Sequence, residues 1–449
     1  MTTALRSTTT IPGELAAYAY SYPHKSSYGP LSPPVSIADA WRVEDVSGLS
    51  LYAHVPFCEM RCGFCNLFTQ SRGSDDVVSA YLSTLFLQME VVRACVPEAS
   101  FAQFAIGGGT PTYLTAHQLA ELLRRVETTF GQSIRGLPTS VETSPATATL
   151  DRLDVLAGFG VQRVSLGVQS FRTDEAAAIG RPQRPTEIYR ALDRIRGAGF
   201  DALNIDLVYG EPGQTVGSWL FSLREALRYR PEELYLYPLY VRPETGLAKR
   251  GKHPVDHRAD LYHAARELLR EHGYVQSSLR GFRLPVTATP STYTCQRDGM
   301  IGLGCGARSY TRRLHYATRF ATTQAGIRVI LRDWIAQSDT ELAVATHGIW
   351  LTPDEQRRRY AIMSLLQAEG LSLAEFRTLF GMDGLETITG LGALIDRGWA
   401  IVEHDRCILT PDGLEHSDVV GPLLYSGPVR ERLREFVELP VYERDEATA

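Results

Sequence analysis

From Leu49 onward the chain alternates between two hydrophobic periods, and this alternation limits the fold more than any other feature. Short runs rich in β-branched and aromatic residues read as strands: SLYAHVPF, FAQFAIGG, TSVETS, QRVSLGVQ, ALNIDLVYG and ELYLYPLYV. Between them lie amphipathic stretches of helical period near 76–96, 116–129, 149–159, 173–179 with 185–198, and 215–229. A further helical stretch near 257–272 precedes YVQSSL. Strand, helix, strand, helix is the pattern of parallel pairing through right-handed crossovers. Six such units predict an α/β fold, a partial (β/α)6-type TIM barrel with fewer units than the closed eightfold one.

In parallel barrels the residues that do chemistry sit at the C-terminal ends of strands. The first strand runs into LYAHVPFCEMRCGFCNLF, Leu51 to Phe68, which holds Cys58, Cys62 and Cys65 in C-x3-C-x2-C spacing. The chain has seven cysteines, so three in one short loop point to a ligand set. Zinc in a closed structural site wants four protein ligands, and His54 is the nearby fourth candidate. A [4Fe–4S] cluster takes thiolates, and three of them leave one iron open to an exogenous ligand. Redox thiols are a third reading of the same loop. The second strand ends in Gly107-Gly108-Gly109-Thr110-Pro111-Thr112, where glycine lets the backbone approach a ligand closely. The third ends at Glu142, the fourth at Gln169 and the fifth at Asp206. One strand-end carboxylate can be a helix cap. Polar ends on successive strands, in register, point to a site.

The length suits two or three domains. At 44% hydrophobic and 22% charged residues, the composition is that of an ordinary soluble protein, and the net charge of −5 argues against bulk nucleic-acid binding. No apolar run reaches membrane-spanning length, and MTTALRSTTTIPGELAAY lacks the apolar core of a signal peptide. A cytoplasmic location follows, where clustered cysteines read as metal ligands and not as disulfides. Cys95 and Cys407 fall in helix-like and strand-like patterns and read as small buried hydrophobes.

Residues 1–48 are rich in Ser, Thr, Pro and Tyr and read as an extended N-terminal arm, whose dense patch YAYSYPHKSSYGPL (Tyr18 to Leu31) reads first as packing it onto the body and second as lining a substrate entrance. After Leu351 the pattern changes. Thr352, Pro353 and Glu355 form an N-terminal capping signature. A helix through RRRYAIMSLL, a second at LSLAEFRTLFG, a third at ETITGLGALIDRG and a hairpin in WAIVEHDRCILTPDG make a winged-helix arrangement. Its third helix carries almost no Arg or Lys to meet phosphates, which disfavours DNA binding. RERLREFVELPVYERDEATA closes the chain as a charged tail.

The cysteine loop resembles the cluster-binding loop of the radical S-adenosylmethionine (SAM) superfamily. The phrases HVPFCxxxCxFC, IGGGTPTYL, SLGVQSF and NIDLVYGxPGQT are similar to one branch of it, the oxygen-independent coproporphyrinogen III dehydrogenase (HemN-like) family. That branch also includes a heme chaperone, and methyltransferases and cyclopropanases that use two SAM molecules. The likeness runs from about residue 18 to about 425. It implies a [4Fe–4S] cluster on Cys58, Cys62 and Cys65. It places SAM against Tyr52, Phe64, Gly108, Gly109, Thr110, Glu142, Gln169, Arg181 and Asp206. Phe64 stands where the family sets an aromatic against the adenine. The planar fork of Arg181 suits a carboxylate, while Glu142 and Asp206 suit an ammonium group or ribose hydroxyls.

The same likeness extends to STYTCQRDGMIGLGCGARSYTRRLHY, Ser291 to Tyr316, whose Gly302, Gly304 and Gly306 match a segment that closes over the active site. Cys305 reads there as a packing residue, Cys295 and Tyr240 as candidate substrate contacts, and Arg308, Arg312, Arg313 and Arg319 as a solvated basic face. The domains implied are the arm at 1–48, a radical SAM partial barrel with its closing segment at 49–330, a winged-helix-like lid at 345–430 and the tail at 431–449.

Departures from the family bear on the reaction. The decarboxylase has a fourth cysteine where this chain has Leu67, and the heme chaperone has an HNxxYW-type segment where this chain reads STYTCQRDG. Glu211 in YGEPGQT takes a place that is apolar in relatives. The leading expectation is a radical SAM enzyme that oxidises or alkylates a small-molecule or peptide substrate, with a second SAM in its methyl-transfer form. Oxidative decarboxylation of coproporphyrinogen III and heme carriage without turnover are the alternatives. A flavodoxin or ferredoxin would be the reductant and the chain a monomer.

Overall fold

The computed structural model describes residues 21–255, 257–285 and 295–438. Tyr18, Tyr20, Ser291 to Thr294 and the tail beyond 438 lie outside the described residues. The chain divides into two compact units, one on Tyr28–Thr352 and the other on Pro353–Leu439 with the segment that ends at Ser27.

The larger unit is built on six parallel strands: β1 (Leu49–Val55), β2 (Phe101–Gly108), β3 (Thr139–Thr143), β4 (Arg163–Gln169), β5 (Ala202–Tyr209) and β6 (Glu233–Pro238). Helices Asp75–Cys95, Ala116–Phe130, Leu150–Gly158, Pro185–Ala198 and Val216–Leu227 connect them, most within a residue of the boundaries read from periodicity. Local chemistry sets those ends. Thr115 caps Ala116–Phe130 in a reciprocal capping box with Gln118, and Gly131 ends that helix in the left-handed region. Along the strands the side chains alternate. Leu49, Leu51, Ile106, Val141, Val164, Leu166, Ile205, Leu207, Leu234 and Leu236 are buried on the helix side. Each such burial is worth roughly 1.5–3 kcal/mol. The other face carries Ser50, Tyr52, Glu142, Arg163, Ser165, Asn204, Asp206, Glu233 and Tyr235. A closed barrel fills that space with Val, Ile and Leu; here it is a polar lumen.

The sheet does not close, and among the described residues it runs to thirteen strands. Met300–Leu303 adds in parallel beside β1, and Arg308–Tyr310, Leu314–Ala317 and Val344–Trp350 follow antiparallel. Beyond β6, Gly281–Arg283 runs antiparallel to it and Val275–Gln276 forms the far edge. The architecture is an α/β partial barrel. The expected extended arm is corrected in part: Gly29–Ser36 is a strand on the outer edge of this sheet, paired from Gly29↔Gly348 to Ser36↔Val344, and Ile37–Trp41 is helical. Asp206 is also displaced from its expected place. It lies three residues before the end of β5, because the apolar LVY that follows continues the extended backbone.

The smaller unit has the winged-helix-like form, with helices Pro353–Leu365, Leu373–Phe380 and Leu391–Asp396. The hairpin Ala400–Glu403/Arg406–Leu409 turns on His404 and Asp405, both at positive φ (48° and 61°), as a two-residue primed turn requires. Its core gathers Leu365, Phe376, Leu391, Leu394 and Leu424 around Tyr22.

Candidate active site

The cysteine loop leaves β1 and is held from several sides. Gly109 N–H donates to Val55 O (2.8 Å) and Thr110 N–H to Phe57 O (2.8 Å), which ties it to the glycine turn after β2. Gly63 N–H donates to Ile179 O (3.0 Å), and Gly63 O accepts from Leu247 N (2.8 Å). Arg61 donates to the carbonyls of Cys65 (3.2 Å) and Thr322 (2.5 Å). Each thiol has a polar neighbour: Thr110 Oγ1 lies 3.5 Å from Cys58 Sγ, Arg181 Nη1 3.1 Å from Cys62 Sγ and Thr69 Oγ1 3.6 Å from Cys65 Sγ. Burial pushes the Cys58 thiol up to about 12, and Cys62 also upward, with Arg181 pulling against it. A metal reverses that cost by deprotonating its thiols outright.

Among the described residues no three His, Cys, Asp or Glu side chains converge as a single-ion site. His54, the fourth zinc candidate, is engaged at both ring nitrogens, with Tyr52 Oη at 3.1 Å and Phe68 O at 2.9 Å. The thiols are close enough to perturb one another electrostatically without sharing one point. Three soft donors, each free to take a separate iron, fit a cluster better than a mononuclear ion.

The glycine turn is tightly confined. A Cβ on Gly109 would lie 2.6 Å from Phe57 O and 2.9 Å from Cys58 Sγ, and one on Gly108 (φ +117°) would strike the His54 ring at 2.7 Å. Close beside it, the Glu142 carboxylate accepts from Gly108 N (3.1 Å). Glu142 has accessible surface, yet the chain around it desolvates the carboxyl and pushes it up to about 7, helped by the charge of Asp206. Both facts hold if that surface belongs to the lumen and not to the exterior. Asp206 is raised by the same burial and accepts from Asn204 Nδ2 (2.8 Å) and Ser165 Oγ (3.1 Å). Burial also raises the Tyr52 hydroxyl, with Glu142 adding to the shift.

Gln169 ends β4 at φ 69°, where the pairing with β5 slips by a residue. A non-glycine residue there marks strain of the kind that clusters at functional sites. Phe64 is half-buried against Ile179, Val208, Leu239 and Leu247. Arg181 differs from its expected role as an open carboxylate fork: Nη2 donates to Gly167 O (2.7 Å), Nε to Gln183 (3.3 Å), and Nη1 faces the Cys62 sulfur. Tyr240 Oη accepts from Arg280 (3.0 Å), and Cys295 is buried against Met300, Tyr310 and Tyr52. Of the basic cluster, Arg312 pairs with Glu44 and Arg319 with Asp333.

Two features are unannounced in the sequence. Arg163 and Glu233 form a 2.7 Å ion pair from β4 to β6 over the intervening β5, nearer the start of that strand than Asp206. Behind the glycine turn, Thr112 bonds Thr143 and Thr147 (both 2.7 Å), Thr147 bonds Ser144 (2.8 Å), and Ser144 donates to Glu59 of the cysteine loop (3.3 Å). The hydroxyl-rich phrases TPT and TSPAT were the available signal, but only the fold brings them together.

Residues 52–223 match the radical SAM superfamily. The heme chaperone HemW of Escherichia coli is 30% identical over 268 residues, 58% of this chain and 69% of that protein. The chain belongs to the radical SAM superfamily, in its HemN-like family. HemW of Bacillus subtilis is 29% identical over 84% of this chain and 99% of that protein, and the oxygen-independent coproporphyrinogen III oxidase of Bradyrhizobium diazoefficiens 29% over 87% and 90%. The solved coproporphyrinogen III oxidase (HemN) of E. coli superposes with a TM-score of 0.76 at 24% identity, covering 90% of this chain and 96% of that one, and so shares the fold. Among the described residues no helix is long and apolar enough to cross a membrane.

Proposed function

We propose that this HemN-like protein is a catalytically active radical SAM enzyme acting on an organic substrate held in the polar barrel lumen. The observation that carries the reading is the meeting, at one end of the six strands, of the three-cysteine loop, Gly108 to Thr110, Glu142, Gln169 and Arg181. Cys58, Cys62 and Cys65 would hold a [4Fe–4S] cluster, leaving one iron for SAM. With both bound, the chemistry supplied is reductive cleavage of SAM to a 5′-deoxyadenosyl radical.

The protein's own part is to bind and orient. Gly108 and Gly109 let the backbone come close to the ligand. Glu142, once ionised, receives the ammonium group, and Asp206 accepts hydroxyl hydrogen bonds from the ribose. Phe64 offers its face to the adenine. Arg181 positions the loop by holding Cys62 against the Gly167 carbonyl, and its charge stabilises the thiolate. The Gln169 amide, close over Gly167, is offered to SAM from the end of β4. A flavodoxin- or ferredoxin-class reductant would supply the electron. Leu67, half-exposed where the decarboxylase carries a fourth cysteine, favours a substrate other than coproporphyrinogen III.

The test is anaerobic. The protein is reconstituted with iron and sulfide, reduced and given SAM, and products are followed by mass spectrometry. Formation of 5′-deoxyadenosine is expected, falling at least 100-fold in Cys62→Ala. S-adenosylhomocysteine alongside it would mark methyl transfer from a second SAM. An intact cluster that yields no 5′-deoxyadenosine with or without coproporphyrinogen III, in a protein that binds heme tightly, would replace catalysis by the carrier reading that the likeness to HemW offers.

A further inference from the structure

Glu211 follows β5 in YGEPGQT and is completely buried, and neither carboxylate oxygen has a hydrogen-bond partner. Its largest electrostatic neighbours are also acidic, Glu175 and then Asp174, from the short helix Thr173–Ala178 after β4. Glu175 is buried as well. Its Oε2 accepts from Ser170 Oγ (2.7 Å) and Gln214 Nε2 (3.2 Å), while its Oε1 has no hydrogen bond. The nearby guanidinium, Arg172, lies 3.7 Å from that oxygen, is partly exposed and pairs more closely with Asp174 (2.7 Å). Gln214 ties the two acids together: its backbone N–H donates to Glu211 O (3.0 Å) and its side chain reaches Glu175. Buried Ser222 bonds Ser170 Oγ (3.2 Å), His257 Nε2 lies 3.2 Å from Gln214 O, and Arg258 packs its stem over Gly210. Both buried Glu211 oxygens thus lack donors, and Glu175 Oε1 has only the long Arg172 ion pair, while the Ser170 hydroxyl and the Gln214 amide serve the other Glu175 oxygen.

An ionised carboxylate buried without donors is costly enough that it either keeps a proton or finds a cation. A protonated Glu211 would still need an acceptor for its O–H, and neither of its oxygens is hydrogen-bonded to one; an ionised Glu211 would face the charge of Glu175. Oxygen donors select hard cations. We propose that Glu211 and Glu175 form a binding site for one hard cation, Na⁺, K⁺, Mg²⁺ or Ca²⁺, between the segments that follow β4 and β5. Binding replaces the carboxyl proton of Glu211, which leaves to solvent, so affinity rises with pH. The site lies just beyond the strands that carry Gln169 and Asp206, and a filled site would hold the two following segments together. It stands apart from the proposed SAM cleavage, since its readout does not need turnover.

The test uses the full chain, anaerobically reconstituted, with unfolding followed by fluorescence at pH 6.5 and pH 8.5. NaCl, KCl, MgCl2 and CaCl2 are each compared with choline chloride at equal ionic strength. The expected result is that one of these cations raises the unfolding temperature by several degrees at pH 8.5 and less at pH 6.5. In Glu211→Gln the apparent affinity for that cation falls about tenfold or more. In Glu211→Leu, which fills the pocket with an apolar side chain, the response is lost and the protein is as stable without added cation as the parent is with it. Equal responses in parent and variants would locate the cation elsewhere and overturn the site. So would a parent indifferent to all four salts whose stability simply falls as pH rises towards about 9, which would make Glu211 a buried neutral acid.

Discussion

Both units of the molecule bury polar side chains, but they do so differently. In the smaller unit the groups close on one another. Tyr22 Oη donates to Glu355, Ser426 Oγ donates to the same carboxylate (2.6 Å), and Ser426 N–H donates to Tyr22 Oη (3.2 Å). Arg358 completes the arrangement by donating to Leu424 O (2.9 Å) and Asp354 (2.7 Å). In the barrel, Glu142, Gln169 and Tyr52 hold part of their hydrogen-bonding capacity open toward the lumen. A network whose donors and acceptors are matched specifies a structure. A row of strand-end groups with capacity left over specifies a place for something else.

The largest stability effect should therefore come from the closed network. Glu355→Ala removes the shared acceptor of Tyr22 and Ser426 and leaves both buried without it. A loss of roughly 3 kcal/mol is expected, with Glu355→Gln recovering about half. Chemical denaturation with a probe in the smaller unit measures it. The same variant should leave the SAM affinity of the folded protein unchanged, which direct binding by calorimetry would check. A SAM affinity that falls with Glu355 would erase the distinction between the two networks.

Most of the barrel was legible because parallel strands and their helices write themselves in two clear periods. The strand FAQFAIGG is the extreme case, since Phe101–Gly108 covers the same eight residues. What was missed lies at the sheet's antiparallel edge. GPLSPPVS reads as a loop because proline cannot donate to a ladder, yet an outermost strand tolerates proline on its free side. Its pairing slips between Pro30 and Val35, where two of those prolines fall. The site was legible as a set of strand ends, but its couplings were not. Arg181 and Cys62 are 119 residues apart, and nothing local tells the guanidinium to face a sulfur and not a carboxylate. Tyr22 and Glu355, 333 apart, were equally hidden. Glu142 could be named from the sequence, whereas its raised pKa depends on the enclosure that three other strands build around it.

That enclosure makes Glu142 the next test. Its carboxyl is raised from 4.5 to about 7, so the folded protein binds a proton there that the unfolded chain releases. The stabilising effect of that proton is complete below about pH 4.5, is lost as pH rises toward 7, and leaves its full penalty above. Glu142→Gln should flatten this slope and gain on the order of 1 kcal/mol at neutral pH, once solvent screening of the accessible carboxyl is allowed for. Its SAM affinity should fall by about tenfold or more, since a charge-assisted partner for the ammonium group is gone. In the parent, SAM should bind more tightly as pH rises from 5 to 7, and in the variant it should not. Titrations at several pH values decide it; a parent without that slope would mean that Glu142 does not meet the ammonium group.

The smallest stability effect is expected at Gln169, where the comparison becomes sharpest. A non-glycine residue at φ 69° costs on the order of 1 kcal/mol. Glycine would remove that cost but bring roughly 0.5–1 kcal/mol of backbone entropy, so Gln169→Gly should change stability by less than about 0.5 kcal/mol. Its amide lies close over Gly167, where an added Cβ would come within 2.9 Å of Nε2, and Gly167 O is also the carbonyl that Arg181 grips. Removing the amide should therefore weaken SAM binding severalfold while the protein unfolds at almost the same temperature. Gln169→Asn, which tolerates the left-handed backbone but is one methylene shorter, should fold equally well and recover only part of the affinity. If Gln169→Gly instead stabilised the protein and bound SAM normally, the strain would be an accident of the turn. A group that costs stability in the empty protein and returns it only when a ligand arrives has no counterpart in Tyr22, Glu355 and Ser426, whose hydrogen bonds to one another are made before any ligand is present.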